Sequence, residues 1–149
     1  MRGYFGIGIY NIKNAVNIGT LWRSAFTFGA SYLFTIGSRY RKQASDTTKT
    51  WRHIPLFHYE NFEDLQIPFN CQLIGIELGG DSLCTFQHPE RAIYLLGAED
   101  YGLPNNILKN CHFTLEIPSV KPYCLNVSVA GSIVMFDRFM KSLLLEHTN

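Results

Sequence analysis

The stretch CQLIGIELGGDSLCTFQHPERAIYLLG, residues 71–97, decides the fold class of this chain. It contains two apolar runs, residues 71–78 and 91–97, and each is apolar at nearly every position instead of at alternate positions. This pattern is typical of strands that are buried on both faces, as in a parallel sheet covered by helices. The stretch therefore predicts an α/β fold.

Strand and helix patterns alternate along the rest of the chain, with strands predicted at 5–10, 31–37, 54–60 and 112–118. Apolar residues at helical spacing predict a helix over 14–28 that ends at Gly29, and a long helix that begins at Asn126. The long helix carries an apolar stripe formed by Val129, Ile133, Phe136, Met140 and Leu144, with Ala130 and Val134 beside it. We expect one parallel sheet flanked by helices, in a single domain over residues 1–149.

Composition excludes several protein classes. A hydrophobic content of 46% over 149 residues excludes intrinsic disorder, and the sequence has no run of 18 apolar residues that could cross a membrane. The first residues lack the pattern of a secretory signal, so we expect a cytoplasmic protein. The four cysteines show no zinc-site spacing, so we expect reduced thiols and no metal.

The net charge of +1 hides a polarised distribution, because residues 1–52 carry eight basic side chains and one acidic, whereas residues 53–149 carry five basic and eleven acidic. The densest basic stretch, residues 38–52, interleaves Tyr40 and Trp51 with cations. Such a stretch suits phosphate and base contacts, although a solvated surface loop has the same composition. Its candidate RNA-binding residues are Arg39, Arg41, Lys42, Lys49 and Arg52.

Three loops follow predicted strands, at residues 79–82, 97–104 and 119–126. Ligands of parallel sheets bind at the carboxyl ends of strands, so we expect the chemistry in these loops. Glu99 and Asp100 lie between Gly97 and Gly102, and this carboxylate pair suits a general base, a metal site or a helix N-cap. Asn126 suits a helix N-cap, and Arg23 either extends its stem over apolar surface or binds an anion.

Three motifs occur in the order typical of one enzyme family. NIGTLWRSA (17–25) resembles N-x-G-x-x-x-R-x-A, LLGAEDYGLP (95–104) contains G-x-E-x-x-G-L, and IPSVKPYCLNVSVAGSIVMFDR (117–138) resembles I-P followed by S-L-N-V-S-V-A. Together they resemble the SpoU (TrmH-type) members of the SPOUT superfamily, which are S-adenosylmethionine-dependent RNA ribose 2′-O-methyltransferases.

The resemblance implies a parallel α/β domain with a C-terminal deep trefoil knot, and a homodimer that pairs through the first and last helices. Many relatives carry an added RNA-binding domain, whereas we expect residues 1–149 to form the catalytic domain without a separate RNA-binding domain. It places Ile76, Gly97, Ile117, Cys124 and Leu125 around S-adenosylmethionine, with no metal required.

The same resemblance matches Arg23 to the catalytic arginine and Asn17, Glu99 and Asn126 to the other polar residues of the motifs. An arginine has a pKa above 12 and is a poor base, so we favour a role in which Arg23 binds a neighbouring RNA phosphate and lowers the pKa of the hydroxyl. Direct proton acceptance is the alternative. One departure is Cys124, which stands where the family has serine and is a weaker hydrogen-bond donor.

Other functions stay open at this stage. A knotted RNA-binding protein without activity would agree with Cys124 but not with the intact Asn17, Arg23, Glu99 and Asn126. A nucleotide-binding oxidoreductase would need a glycine fingerprint after the first strand, where the sequence instead has IYNIKNAVNIG. Minimal members of the resembled family tend to act on tRNA, so tRNA is the expected substrate and ribosomal RNA the alternative.

Overall fold

The computed structural model describes residues 3–37 and 49–148, and within them six strands form one parallel sheet. The strands are β1 (Tyr4–Tyr10), β2 (Tyr32–Ile36), β3 (Leu56–Tyr59), β4 (Gln72–Ser82), β5 (Arg91–Leu96) and β6 (Phe113–Glu116). The α-helices are α1 (Ala15–Thr27), α2 (Asn105–Leu108) and α3 (Val127–His147), and short 3₁₀ turns occupy Thr50–Arg52, Phe62–Asp64 and Leu83–Thr85. The predicted parallel α/β sheet flanked by helices is confirmed.

The strand order is β3-β2-β1-β5-β4-β6, so the chain builds outward from β1 in one direction and then returns to its other side. All pairings are parallel, which places the carboxyl ends of all strands at one edge. The order reverses between β1 and β5, and such reversals are where parallel sheets form ligand crevices. The loops after β4, β5 and β6 lie on this edge.

The sheet is buried on both faces, as its continuous apolar strands predict. On one face α1 and α3 cover Ile7 and Tyr94, while the other face packs Phe34, Ile93 and Leu95 under α2 and neighbouring loops. Gly131 of α3 lies against α1, because a Cβ there would come within 2.4 Å of Leu21 Cδ1. The glycine in the middle of α3 therefore allows the two helices to approach closely.

Helices α1 and α3 begin at polar N-cap residues and have boundaries close to the predicted ones. The Asn14 side chain accepts a hydrogen bond from the backbone N–H of Val16 at the start of α1, and Gly29 follows that helix with φ +79°. Asn126 caps α3 in the same way as Asn14 caps α1. Helix α1 thus ends one residue earlier than predicted, and α3 begins where the sequence indicates.

One predicted loop is wrong. Residues 79–82 belong to β4, which pauses in its pairing with β6 after Ile76 and resumes it at Asp81. Gly79 adopts φ +85° in this irregularity, and its N–H donates to the Glu116 carboxylate. The two glycines form a bulge within a long strand and do not end it, because β6 provides backbone partners for the residues after the bulge.

Helix α3 is apolar on two sides. Val127, Val134 and Met135 are buried against the sheet, whereas most of the stripe named above faces away from it. The exposed fractions are 47% for Val129, 51% for Phe136, 38% for Met140 and 63% for Leu144. A shallow groove between α1 and α3, lined by Phe28 and Phe136 among others, continues this exposed apolar surface.

Candidate active site

A pocket open to solvent lies at the carboxyl ends of β5 and β6, beside residues 76–78 of β4. Its wall is largely apolar and includes Ile76, Leu96, Ile117 and Val127. The topology explains the position, because β4 lies between β5 and β6 and its regular pairing with both stops after Ile76, where the loops after β5 and β6 reach the same edge.

The residues matched to cofactor binding all line this pocket: Ile76, Gly97, Ile117, Cys124 and Leu125. They come from three segments that are up to 49 positions apart in sequence, and only the fold brings them together. Cys124 is exposed, and its thiol makes no hydrogen bond to any residue within 3–37 or 49–148.

Glycines let the pocket wall close tightly. A Cβ on Gly97 would lie 2.2 Å from the carbonyl carbon of Gly102, so the two backbone segments touch where side chains would keep them apart. The turn between them is closed by the N–H of Gly102, which donates to the Ala98 carbonyl over 2.8 Å. The loop 97–102 is thus a compact turn that presents Glu99 at its tip.

Glu77 also lines the pocket, and sequence reasoning missed it. Its carboxylate accepts hydrogen bonds from the backbone N–H of Leu103 over 2.7 Å and of Leu78 over 2.9 Å. Gly102 adopts φ +61°, and a Cβ there would lie 2.1 Å from Glu77 Oε2. Glu77 therefore holds the loop after β5 in place, and the one sequence signal was a carboxylate at the end of an apolar strand.

Three of the residues matched to catalysis form one hydrogen-bond network beside the pocket. Asn17 Nδ2 donates to Glu99 Oε1 over 2.7 Å, and Asn126 Nδ2 donates to the same oxygen over 2.8 Å and to Asn17 Oδ1 over 3.0 Å. Glu99 Oε2 has no hydrogen-bond partner in the described part of the chain. The network holds one carboxylate oxygen in a fixed orientation and leaves the other available.

Asn126 serves the helix and the site together. Its Oδ1 accepts from the backbone N–H of Ser128 over 3.0 Å and of Val129 over 3.3 Å, while its Nδ2 donates to the network. The hydroxyl of Ser128 also donates to Oδ1 over 2.6 Å. The two alternatives left open by the sequence, a cap and a site residue, are compatible because a carboxamide has an acceptor end and a donor end.

Arg23 lies apart from this network. It is exposed on α1 and neither lines the pocket nor hydrogen-bonds through its guanidinium to any of the residues that the structure describes. Asn17 is buried on the same helix, six positions earlier, so a single helix carries one residue into the network and presents the other to solvent. The guanidinium is thus available to an external anion.

Two of the candidate RNA-binding residues fall close to α1. Lys49 and Arg52 are exposed at the 3₁₀ turn Thr50–Arg52, and the next residue, His53, stacks on Phe26 of α1 with ring centroids 4.5 Å apart. Arg39, Arg41 and Lys42 lie outside the described residues. The described end of the basic stretch therefore lies next to the helix that carries Arg23.

Within residues 3–37 and 49–148, no group of three or more His, Cys, Asp or Glu side chains is arranged to hold a metal ion. No helix in this part of the chain is long and apolar enough to span a membrane.

Comparisons with known proteins agree with the fold and the motif positions. An "uncharacterized tRNA/rRNA methyltransferase" of Archaeoglobus fulgidus is 28% identical over 144 residues, which cover 90% of this chain and 63% of that protein. The mouse tRNA (guanosine(18)-2′-O)-methyltransferase TARBP1 is 27% identical over 146 residues, which cover 89% of this chain and 9% of that protein. The chain thus spans less than two thirds of the length of both relatives.

Among solved structures, the SpoU methyltransferase AviRb from Streptomyces viridochromogenes, in complex with AdoMet, superposes with a TM-score of 0.84 at 20% identity. The match covers 96% of this chain and 59% of that one. The family model described as the SpoU rRNA Methylase family matches residues 5–136, a range that includes the pocket, the network and Arg23. This chain belongs to the SpoU rRNA methylase family.

Proposed function

We propose that this protein transfers a methyl group from S-adenosylmethionine to the 2′-hydroxyl of a ribose in RNA, and that the RNA is a tRNA. The observation that supports this proposal is the position of Glu99. It lines the pocket and also accepts the hydrogen bonds of Asn17 and Asn126. A methyl donor in the pocket and a hydroxyl at the network would therefore be neighbours.

The relatives support each part of this chemistry. AviRb is described in complex with AdoMet, the mouse relative is named for 2′-O-methylation of a tRNA guanosine, and the archaeal relative is named for tRNA or rRNA. Ribosomal RNA is accordingly the second candidate substrate. The cofactor, the 2′-oxygen and the tRNA are all proposals for this chain, which spans only part of those proteins.

The lining of the pocket suits the chemistry of S-adenosylmethionine. Ile76, Ile117 and Leu125 supply apolar surface for an adenine ring, and Gly97 exposes backbone groups at a strand end where a side chain would block approach. We propose that these residues and Cys124 hold the cofactor. When bound, S-adenosylmethionine supplies a methyl group already activated on a sulfonium, so no metal is needed to activate it.

The network supplies what the hydroxyl needs. In-line displacement requires the ribose oxygen to be held in one orientation and its proton to be removed as the new oxygen–carbon bond forms and the carbon–sulfur bond breaks. We assign the second oxygen of Glu99 to accept that proton, because its first oxygen is fixed by two amides. Asn17 and Asn126 orient the carboxylate.

Arg23 is proposed to bind the phosphate next to the reacting ribose. Its guanidinium is exposed and has no hydrogen-bond partner among residues 3–37 and 49–148, so within those ranges no carboxylate would compete with a phosphate for it. The nearby Lys49 and Arg52 would extend the same contact along the RNA backbone.

We also propose a homodimer and a knotted C-terminal segment, both implied by the family. The exposed apolar side of α3 supports the dimer, because Phe136 and Leu144 remain half or more accessible in one chain. A monomeric mass by light scattering at micromolar concentration would contradict the dimer.

The direct test is transfer of a tritiated methyl group from S-adenosylmethionine to bulk tRNA and, in parallel, to ribosomal RNA. We expect incorporation that resists alkaline hydrolysis, because 2′-O-methylation blocks cleavage of the adjacent phosphodiester, and we expect a chelator to leave it unchanged. Label confined to alkali-labile nucleotides would contradict the 2′-oxygen as acceptor. Label in ribosomal RNA alone would contradict the tRNA assignment.

Cys124 favours a second candidate, an RNA-binding protein without transferase activity. Its thiol makes no hydrogen bond within the described ranges, whereas the family's serine could make one. The same assay on Cys124→Ser separates the two, because an inactive wild type with an active Cys124→Ser variant would favour the binding protein.

A further inference from the structure

Two exposed aromatic side chains lie beside the residues of the network. Tyr101 follows Glu99 by two positions on the loop after β5, and Tyr123 precedes Asn126 by three positions on the loop after β6. Tyr123 is 74% exposed although it lines the pocket, and Tyr101 is 81% exposed. Neither tyrosine is among the polar residues that the motifs matched to catalysis.

These two tyrosines are more exposed than the other tyrosines that the structure describes. The described residues contain seven tyrosines, and the remaining five are buried or partly buried. Most of them pack against other rings on the sheet, as Tyr94 packs against Phe5. The two exposed tyrosines therefore lie on the two loops, after β5 and after β6, whose residues line the pocket.

A cation contacts the Tyr101 ring. Lys13 Nζ lies 5.0 Å from the centroid of the Tyr101 ring and 2.7 Å from Asp100 Oδ2. Lys13 belongs to the loop between β1 and α1, so these contacts join that loop to the second motif segment.

We propose that Tyr123 and Tyr101 are base-stacking residues for the RNA substrate. Tyr123 stacks on the base of the nucleotide whose ribose is methylated, and Tyr101 stacks on the base of an adjacent nucleotide. The proposal deepens the proposed function and rests on it. Methylation of a ribose uses no edge of the base, so the flat face of the base is free to be held by an aromatic ring.

The chemistry of single-stranded RNA agrees with this assignment. Proteins hold unpaired bases chiefly by stacking on aromatic side chains, which accepts any base because every base has a flat face. A target nucleotide unstacked from its neighbours would enter between the loops that carry Glu99 and Asn126, and Tyr123 is the aromatic side chain of the pocket wall. The rings supply affinity, and the network supplies the chemistry.

The test compares Tyr123→Ala and Tyr101→Ala with Tyr123→Phe and Tyr101→Phe, using bulk tRNA and bulk ribosomal RNA as probes. The matched control is Phe69→Ala, because Phe69 is 85% exposed and lies three residues before β4, at the opposite edge of the sheet. We expect each alanine variant to weaken RNA affinity about tenfold, and both phenylalanine variants and the control to stay within about twofold. Affinity for S-adenosylmethionine, measured by calorimetry, should be unchanged in all of them.

Wild-type RNA affinity in both alanine variants would overturn the proposal, as would a Tyr123→Ala variant that loses cofactor affinity as much as RNA affinity. Failure of the proposed function gives a different result. A wild type that transfers no methyl group, but whose RNA affinity falls in the alanine variants alone, would overturn the transferase assignment and support the stacking. A wild type that binds neither RNA would overturn the stacking.

Discussion

The protein contains two polar networks that resemble each other in connectivity and differ in surroundings. The first joins Asn17, Glu99 and Asn126 beside the pocket at the carboxyl edge of the sheet. The second lies where the connection from β4 to β5 meets α3. In it, His88 Nε2 donates to Asp137 Oδ2 over 2.8 Å, while His88 Nδ1 lies 2.6 Å from the Tyr94 hydroxyl.

The centre of the second network is buried. Lys141 Nζ donates to Asp137 over 2.7 Å, and the buried Arg138 donates to the Tyr94 hydroxyl over 3.2 Å and to the Pro89 carbonyl over 2.7 Å. Burial raises the pKa of Tyr94 to about 12, which keeps this hydroxyl protonated. This network joins α3 to the connection before β5.

The difference shows what identifies a candidate site in this molecule. A His–Asp pair beside a tyrosine has the residue types of a catalytic centre, but it lines neither the candidate pocket nor the groove between α1 and α3. The first network has fewer hydrogen bonds, yet its Glu99 lines the candidate pocket and can reach a ligand there. We therefore expect substitutions in the first network to change rate, and substitutions in the second to change stability.

The largest effect is expected for Glu99→Gln. Its remaining carbonyl oxygen can still accept the amide hydrogen bonds of Asn17 and Asn126, whereas the other end becomes an N–H₂ group that cannot accept a proton. We expect single-turnover methylation of RNA to fall about a thousandfold, with the melting temperature nearly unchanged. Glu90→Gln is the matched control, because Glu90 is exposed just before the opposite end of the same strand. A Glu99→Gln protein that methylates at the wild-type rate would contradict the proton-acceptor role.

The next effect is expected for Arg23→Ala. Loss of the phosphate contact should reduce the rate about a hundredfold while S-adenosylmethionine affinity, measured by calorimetry, stays near wild type. Arg23→Lys keeps the charge without the planar fork and should restore part of the rate. The side chain is exposed, so stability should change by no more than about 0.5 kcal/mol. If the Arg23→Ala variant instead melts at a lower temperature but methylates RNA at the wild-type rate, the role of Arg23 is to pack its aliphatic stem against the helix.

In the second network, Asp137→Ala removes the shared acceptor of His88 and Lys141. We expect the free energy of unfolding to fall by about 1–3 kcal/mol, because the buried Nε2–H of His88 is left without a partner. Urea denaturation measures this, and Asp137→Asn, which keeps one acceptor oxygen, should lose less. The rate per folded molecule should remain near wild type, and a thousandfold loss there would place this network in the chemistry after all.

Much of the fold and of the first network could be predicted from the sequence. Continuous apolar runs identify strands covered on both faces, and parallel strands bring their carboxyl ends together, so the loops that carry Glu99 and Asn126 were expected at one edge. Asn17 lies on a helix, and only the motif resemblance placed it with them. Asn17, Glu99 and Asn126 meet although the last two are 82 and 109 positions from the first. Their assigned roles remain predictions until the variants are measured.

The remaining features depend on contacts that no local pattern encodes. Glu77 caps the backbone of Leu103, 26 positions away, and nothing in its neighbours distinguishes it from a solvated carboxylate. The extension of β4 past Gly80 depends on the backbone partners that β6 provides. Helix α3 is apolar on two sides, so periodicity alone could not tell that Val134 would be buried and Phe136 exposed.

The smallest expected effect is a pH dependence of stability that arises from His88. Its side chain is 4% exposed, and burial lowers its pKa more than hydrogen bonding to Asp137 raises it, while Arg138 and Lys141 lower it further. Because Tyr94 accepts from Arg138, its own hydrogen points to His88 Nδ1, which fixes the neutral imidazole with its proton on Nε2. A second proton on Nδ1 would remove that acceptor.

The sign of the effect follows from the depressed pKa. The unfolded chain takes up the proton near pH 6.5, whereas the folded chain takes it up at lower pH. This contribution to stability is therefore fully present above about pH 6.5 and declines as the pH falls toward the folded-state pKa of His88. Urea titrations at pH 8 and pH 5 should show a larger loss of stability in wild type than in His88→Gln, which cannot titrate. An equal loss in both proteins would show that His88 is not the titrating group.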